Sequence, residues 1–127
     1  MFDCARPAAL ARFWAPVLGY RVREYTEEDL AWLREQGFDG PEHDPSVAID
    51  PPDDRLPTIW FNRVPEPKNV KNRVHLDVNL TDAAEANRVL ELGATIVRPF
   101  GAVEGEDWAI FADPEGNEFC VFPPREG

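Results

Sequence analysis

Apolar residues recur at helical spacing over residues 7–18, where Leu10, Phe13, Trp14, Val17 and Leu18 fall on one face. Pro7 suits a first turn and Gly19 a C-terminal stop, so the pattern predicts a helix over PAALARFWAPVL, distorted in its last turn by Pro16. After Gly19, YRVREY reads as a strand. TEEDLAWLREQGF then turns helical again, with Thr26 as N-cap, Asp29 three residues on, Leu30 and Leu33 apolar and Gly37 as terminator. GPEHDP is an acidic loop. SVAID and TIWFNRV are strands rich in β-branched and aromatic residues, separated by the turn PPDDRLP. EPKNVKNR, entered through VPEP with prolines at 65 and 67 and carrying three cations from 68 to 73, is the best linker candidate. Beyond it the pattern predicts a strand at VHLDVNL and a helix over TDAAEANRVLELG, capped by Thr81 and closed by Gly93. Strands follow at ATIVRPF, DWAIFAD and EFCVF, the last two joined by the turn DPEGN.

The second half therefore reads β-α-β-β-β, and the first half repeats that order with an extra helix. At an offset of 74, Asp3, Ala9, Leu18 and Gly19 match Asp77, Ala83, Leu92 and Gly93. Asp50-Pro51 resembles Asp113-Pro114 at an offset of 63, so about 11 additional residues lie between, where the acidic helix and loop fall. The expected fold is α+β, two βαβββ modules in a single domain of 127 residues: module one over 1–66 with 24–45 inserted, a linker at 65–73, and module two over 73–124.

Composition narrows the partners. A chain of this length hides roughly two-thirds of its unfolded surface, so a core forms without a disulfide or structural metal. The formal net charge of −11 excludes nucleic acid and anionic membranes as natural partners. No apolar run approaches the roughly 18 residues of a membrane span. The N-terminus MFDCARPAAL lacks a basic region followed by an apolar stretch, and Cys4 and Cys120 make no disulfide framework, so the cytoplasm is the expected address. Neither cysteine has a directly adjacent His, Lys or Arg in sequence, which predicts inert thiols.

Two βαβββ modules with FWAPVLGY after the first helix, LGATIVRP after the second and DPEGNEFCVF at the end resemble the vicinal oxygen chelate superfamily, over the whole chain. RVPEPKNVKNRVHLDVNL with those segments resembles its glyoxalase-like branch, of the glyoxalase/bleomycin resistance/dioxygenase type. The resemblance implies that each module makes a curved sheet and that the two sheets pair into a cup. It also implies a homodimer, since the superfamily often builds or completes its cups across subunits. In metal-dependent members one residue from the first strand and one from the last strand of each module hold the ion. Here the second module offers His75 and Glu118, while the matching positions of module one fall on Met1 and on Thr58 or Pro57. None of these three replaces a carboxylate or imidazole, and catalytic metal sites generally need three protein ligands. The cofactor expectation is none, or a weakly bound divalent metal. A third donor would have to be His43, Asp77 or a residue of a second subunit.

The candidate catalytic pair is thus His75 and Glu118, which are also the candidate, incomplete metal pair. Asp77 shares a strand face with His75 by the two-residue period, and one of Trp60 or Phe61 must point into the cup, making these three the candidate ligand-binding residues. Trp14 and Trp32 lie on helix faces and read as packing, and Lys68, Lys71 and Arg73 as a solvated linker. The expected function is small-molecule binding in the cup; the competing reading is a metal-dependent lyase, isomerase or dioxygenase of glyoxalase-like type.

Overall fold

The computed structural model describes residues 1–125, which divide into two compact units, the first Met1–Lys68 and the second beginning at Asn69. The first contains β1 (Phe2–Cys4), α1 (Pro7–Leu18), β2 (Arg21–Val22), α2 (Glu27–Glu35), a 3-10 turn at Pro41–His43, β3 (Ser46–Asp50) and β4 (Ile59–Arg63). The second contains β5 (Leu76–Asn79), α3 (Glu85–Glu91), β6 (Thr95–Arg98), β7 (Ala109–Ala112) and β8 (Glu118–Phe122). The sheets have the same topology, β1-β4-β3-β2 and β5-β8-β7-β6, with the outer first strand parallel to the last and the other pairs antiparallel. This is the mixed α+β architecture of paired βαβββ order, with open sheets rather than a barrel.

Helix α1 forms where its pattern places it. Pro7 opens it, Gly19 closes it at φ 73, and Leu10, Ala11, Phe13 and Trp14 are all buried. They cover the inner face of the first sheet, where Phe2 stacks on Phe61 at 5.1 Å and lies 5.7 Å from Trp14. Val47 and Ile49, two residues apart on β3, complete this core. In the second unit the inner face is Val78, Ala109, Phe111, Phe119 and Val121, with Val89 buried on α3. The DPEGN turn is held by Asp113, 2% exposed, whose Oδ1 accepts the amides of Glu115 and Asn117 at 2.9 Å each. Gly93 is held to glycine by its φ of 125 and by Pro114, whose Cγ would lie 3.3 Å from an added Cβ.

Two local expectations change. YRVREY contributes only Arg21–Val22 to its sheet. Thr81 does not cap α3, which begins at Glu85 behind Ala84. The cause is a local exchange: Asp82 Oδ1 accepts the Glu85 amide at 3.1 Å while the Glu85 carboxylate turns back to the amide and hydroxyl of Thr81. That holds 81–84 as a turn. By contrast α2 has the full reciprocal cap, Thr26 Oγ1 accepting from the Asp29 amide at 3.1 Å and Asp29 Oδ2 from the Thr26 amide at 2.9 Å.

Candidate functional site

Strand register assigns each candidate to a face. On the first sheet Phe2 pairs with Phe61 and Ala48 with Trp60. Phe61, 0% exposed, belongs to the core under α1, whereas Trp60, 38% exposed, points to the other face. The two aromatics read together in the sequence are thus separated by one step of the pleat.

Trp60 lines a cavity of about 230 Å³ bounded by Arg23, Glu24, Tyr25, Asp29, Trp32, Leu33, Asp44, Ser46, Val47 and Ala48. The floor comes from β3 and β4, and one wall from the inserted helix α2, anchored by Leu33 at 1% exposure. Trp32 is 51% exposed on that helix, so it is a wall of the cavity and not the packing residue its helical position suggested. Behind it, buried Asp44 accepts the Tyr25 hydroxyl at 2.6 Å and the Ser46 amide at 2.9 Å. Burial first, and then Asp44, push the Tyr25 hydroxyl well up, so it remains a proton donor. Arg23 lies over the Trp60 ring, 5.2 Å from its centre, and forks onto Asp50 through Nε and Nη2 at 2.8 Å each. Sequence reading missed Trp32, Tyr25 and Asp44. The available signal was the insertion itself, since an added helix beside a sheet creates a wall.

On the second sheet Leu76 pairs with Phe119 and Asp77 with Cys120. Phe119 faces the core, so Glu118 and Cys120 face away from it, and extending the register by one step sets His75 opposite Glu118. The linker occupies this end of the sheet. Lys71 Nζ lies 2.8 Å from Glu118 Oε2, Asn72 Oδ1 accepts the Glu118 amide at 3.0 Å, and Asn72 Nδ2 donates to Asn117 Oδ1 at 3.2 Å. Lys71 is therefore a partner of Glu118, not simply part of a solvated linker. His75 Nε2 is 3.3 Å from the Asn72 carbonyl, an atom that only accepts, so this contact uses Nε2 as a donor. Burial and then Asp77 raise the Cys120 thiol, which keeps it protonated and unreactive. Beyond Cys120, Arg98 lies 3.8 Å from the centre of the Trp108 ring and pairs with Glu106 at 2.9 Å. A second depression, about 830 Å³, runs along Asn79, Phe100 and Phe122, with Asp107 and Arg125 as its charged groups.

The same register corrects the position matched to Glu118. Leu76 and Phe119 occupy in β5 and β8 the pairing that Phe2 and Phe61 occupy in β1 and β4, so the residue before Phe61, Trp60, is the counterpart of Glu118. Thr58 and Pro57 precede the strand, and Thr58 donates to Asp50 at 2.8 Å. The turn between β3 and β4 is longer than that between β7 and β8, and that difference displaced the sequence match. His43 is exposed, ending the 3-10 turn, and its carbonyl accepts from Arg63 at 3.0 Å. The four family positions are then Met1, Trp60, His75 and Glu118, of which the last is already paired with Lys71. Among the described residues no group of three or more His, Cys, Asp or Glu is placed to hold a metal. This donor set does not fit a divalent ion.

A family model described as a glyoxalase-like domain matches residues 1–122. A search of curated proteins finds no match. Among solved structures, the chain is similar to the fosfomycin resistance protein FosX from Mesorhizobium loti, at TM-score 0.60 and 16% identity, covering 98% of this chain and 87% of that one. It is similar to a glyoxalase/bleomycin resistance protein/dioxygenase family enzyme from Burkholderia phytofirmans PsJN, at TM-score 0.55 and 18% identity, covering 94% and 91%. TioX from Micromonospora sp. ML1 matches at TM-score 0.55 and 17% identity, covering 98% and 94%. At these identities the structural likeness speaks to the fold alone.

Proposed function

Because the chain belongs to the glyoxalase-like domain family of the vicinal oxygen chelate superfamily, we propose that it is a small-molecule binding protein whose ligand sits, without a metal, between α2 and the β3–β4 floor. The observation that carries this reading is the cavity of about 230 Å³ walled by two exposed indoles, Trp32 and Trp60. Apolar walls with a few convergent polar groups are the usual make-up of a ligand site. Exposed tryptophans facing a concavity contribute little to folding and much to stacking on a ligand. The fold itself also carries a fosfomycin resistance protein. A thermal-shift screen of small organic molecules tests the proposal: stabilising compounds are expected to lose their effect in Trp32→Ala and in Trp60→Ala. Stabilisation unchanged in both variants would overturn it. Pairing into a homodimer is part of the same reading, supported by exposed Ile96 and Val97 on edge strand β6, and sedimentation velocity checks it.

A further inference from the structure

We infer that the ligand of this cavity is a small organic cation, an amine carried on a planar or apolar body. The inference rests on the binding reading above and specifies its ligand class. Three carboxylates, Glu24, Asp29 and Asp44, line the cavity against one guanidinium, Arg23. Arg23 does not balance them, because this single cation forks onto Asp50 and also faces Asp29. The donors that Asp44 accepts from are a tyrosine hydroxyl and a backbone amide, both uncharged, so its negative charge is stabilised without being cancelled. Asp29 accepts from the Thr26 amide, likewise uncharged. The cavity therefore holds an excess of negative charge beside two indole side chains.

Arg23 already lies over the Trp60 ring, so the aromatic surface open to a ligand's cation is the exposed Trp32 ring. An anionic ligand would meet the three carboxylates. A neutral one would remove water from them and return no charge compensation. An ammonium group gains from both the carboxylates and the exposed Trp32 ring, and the net charge of −11 raises its concentration near the surface. Size sets the other limit. At about 230 Å³ the cavity falls below the roughly 300–1,000 Å³ typical of drug-sized ligands, so the cation is a small amine.

Calorimetric titration with 2-phenylethylamine, 2-phenylethanol and 3-phenylpropionate tests this with one ring and three charges. The amine is expected to bind at least about tenfold tighter than the other two, a preference of about 1.4 kcal/mol. Raising ionic strength from about 20 mM to about 300 mM should weaken the amine and leave the alcohol unchanged. The double variant Glu24→Gln, Asp29→Asn keeps an acceptor at the α2 cap and should bring the amine to within about threefold of the alcohol. If the alcohol or the acid binds as tightly as the amine, the cation assignment falls while binding in the cavity stands. If none of the three binds, the cation assignment also falls, and the tryptophan variants in the thermal-shift screen decide the binding reading separately.

Discussion

Asp50 links the cavity wall to the edge of the first sheet, and its titration is the clearest electrostatic signature at residue scale. The Arg23 guanidinium, then the Thr58 hydroxyl, hold its carboxyl down at about 2, against a smaller opposing effect of burial. A folded-state value below the ordinary 3.8 means that the unfolded chain takes up the proton first. The pair thus contributes stability above the ordinary value and loses it as pH falls from there through about 2. With the two side chains 49% and 35% exposed, solvent screening keeps that contribution under about 1 kcal/mol. Asp50→Asn should cost no more than this near neutral pH and flatten the acid limb, which urea unfolding at neutral and acidic pH would read. Adjacent Trp60 and Phe61 should diverge more sharply. Phe61→Ala empties a fully buried ring site and is expected to cost about 3–5 kcal/mol, whereas Trp60→Ala should cost less than about 1 kcal/mol. Denaturant midpoints of the two variants check the assignment of faces.

At the scale of elements, α2 and the turn before β8 carry the most specific local chemistry. The reciprocal cap of Thr26 and Asp29 starts a nine-residue helix that presents Trp32 to the cavity and Leu33 to the interior. Thr26→Ala should cost about 1 kcal/mol and also weaken binding in the cavity, because the wall frays from its first turn. Equal binding by that variant would mean that α2 does not shape the site. In the DPEGN turn, buried Asp113 accepts two backbone amides and the Asn117 amide group. Asp113→Ala leaves those donors without their acceptor and is expected to cost about 2–3 kcal/mol in chemical denaturation. Helix boundaries were legible where side chains acted on their own element. Pro7 and Gly19 delimit α1, and Thr26 starts α2. They were not legible where two side chains satisfied each other, as Thr81 and Glu85 do ahead of α3.

For the molecule as a whole, the donor set predicts its response to metals. With Met1 and Trp60 at two of the four family positions and Lys71 on Glu118, calorimetry with Zn²⁺, Ni²⁺ or Mn²⁺ should show no site tighter than roughly micromolar, about −8 kcal/mol. A tight stoichiometric site abolished by His75→Ala would restore the metal-dependent reading. The order of strands and helices, the repeated βαβββ pattern, the inserted helix and the glyoxalase-like family were all written in the sequence. Periodicity, caps and turn residues act over a few positions, and the chain carries them without help from distant contacts. The face each strand residue takes was decided by tertiary structure, because a turn of different length shifts the register and a shift of one residue exchanges the faces. That is why Trp60, not Thr58 or Pro57, stands as counterpart to Glu118. The cavity was decided the same way: its walls come from α2, β3 and β4, segments separated in the chain, and only packing α2 beside the sheet brings Trp32, Asp44 and Trp60 around one space.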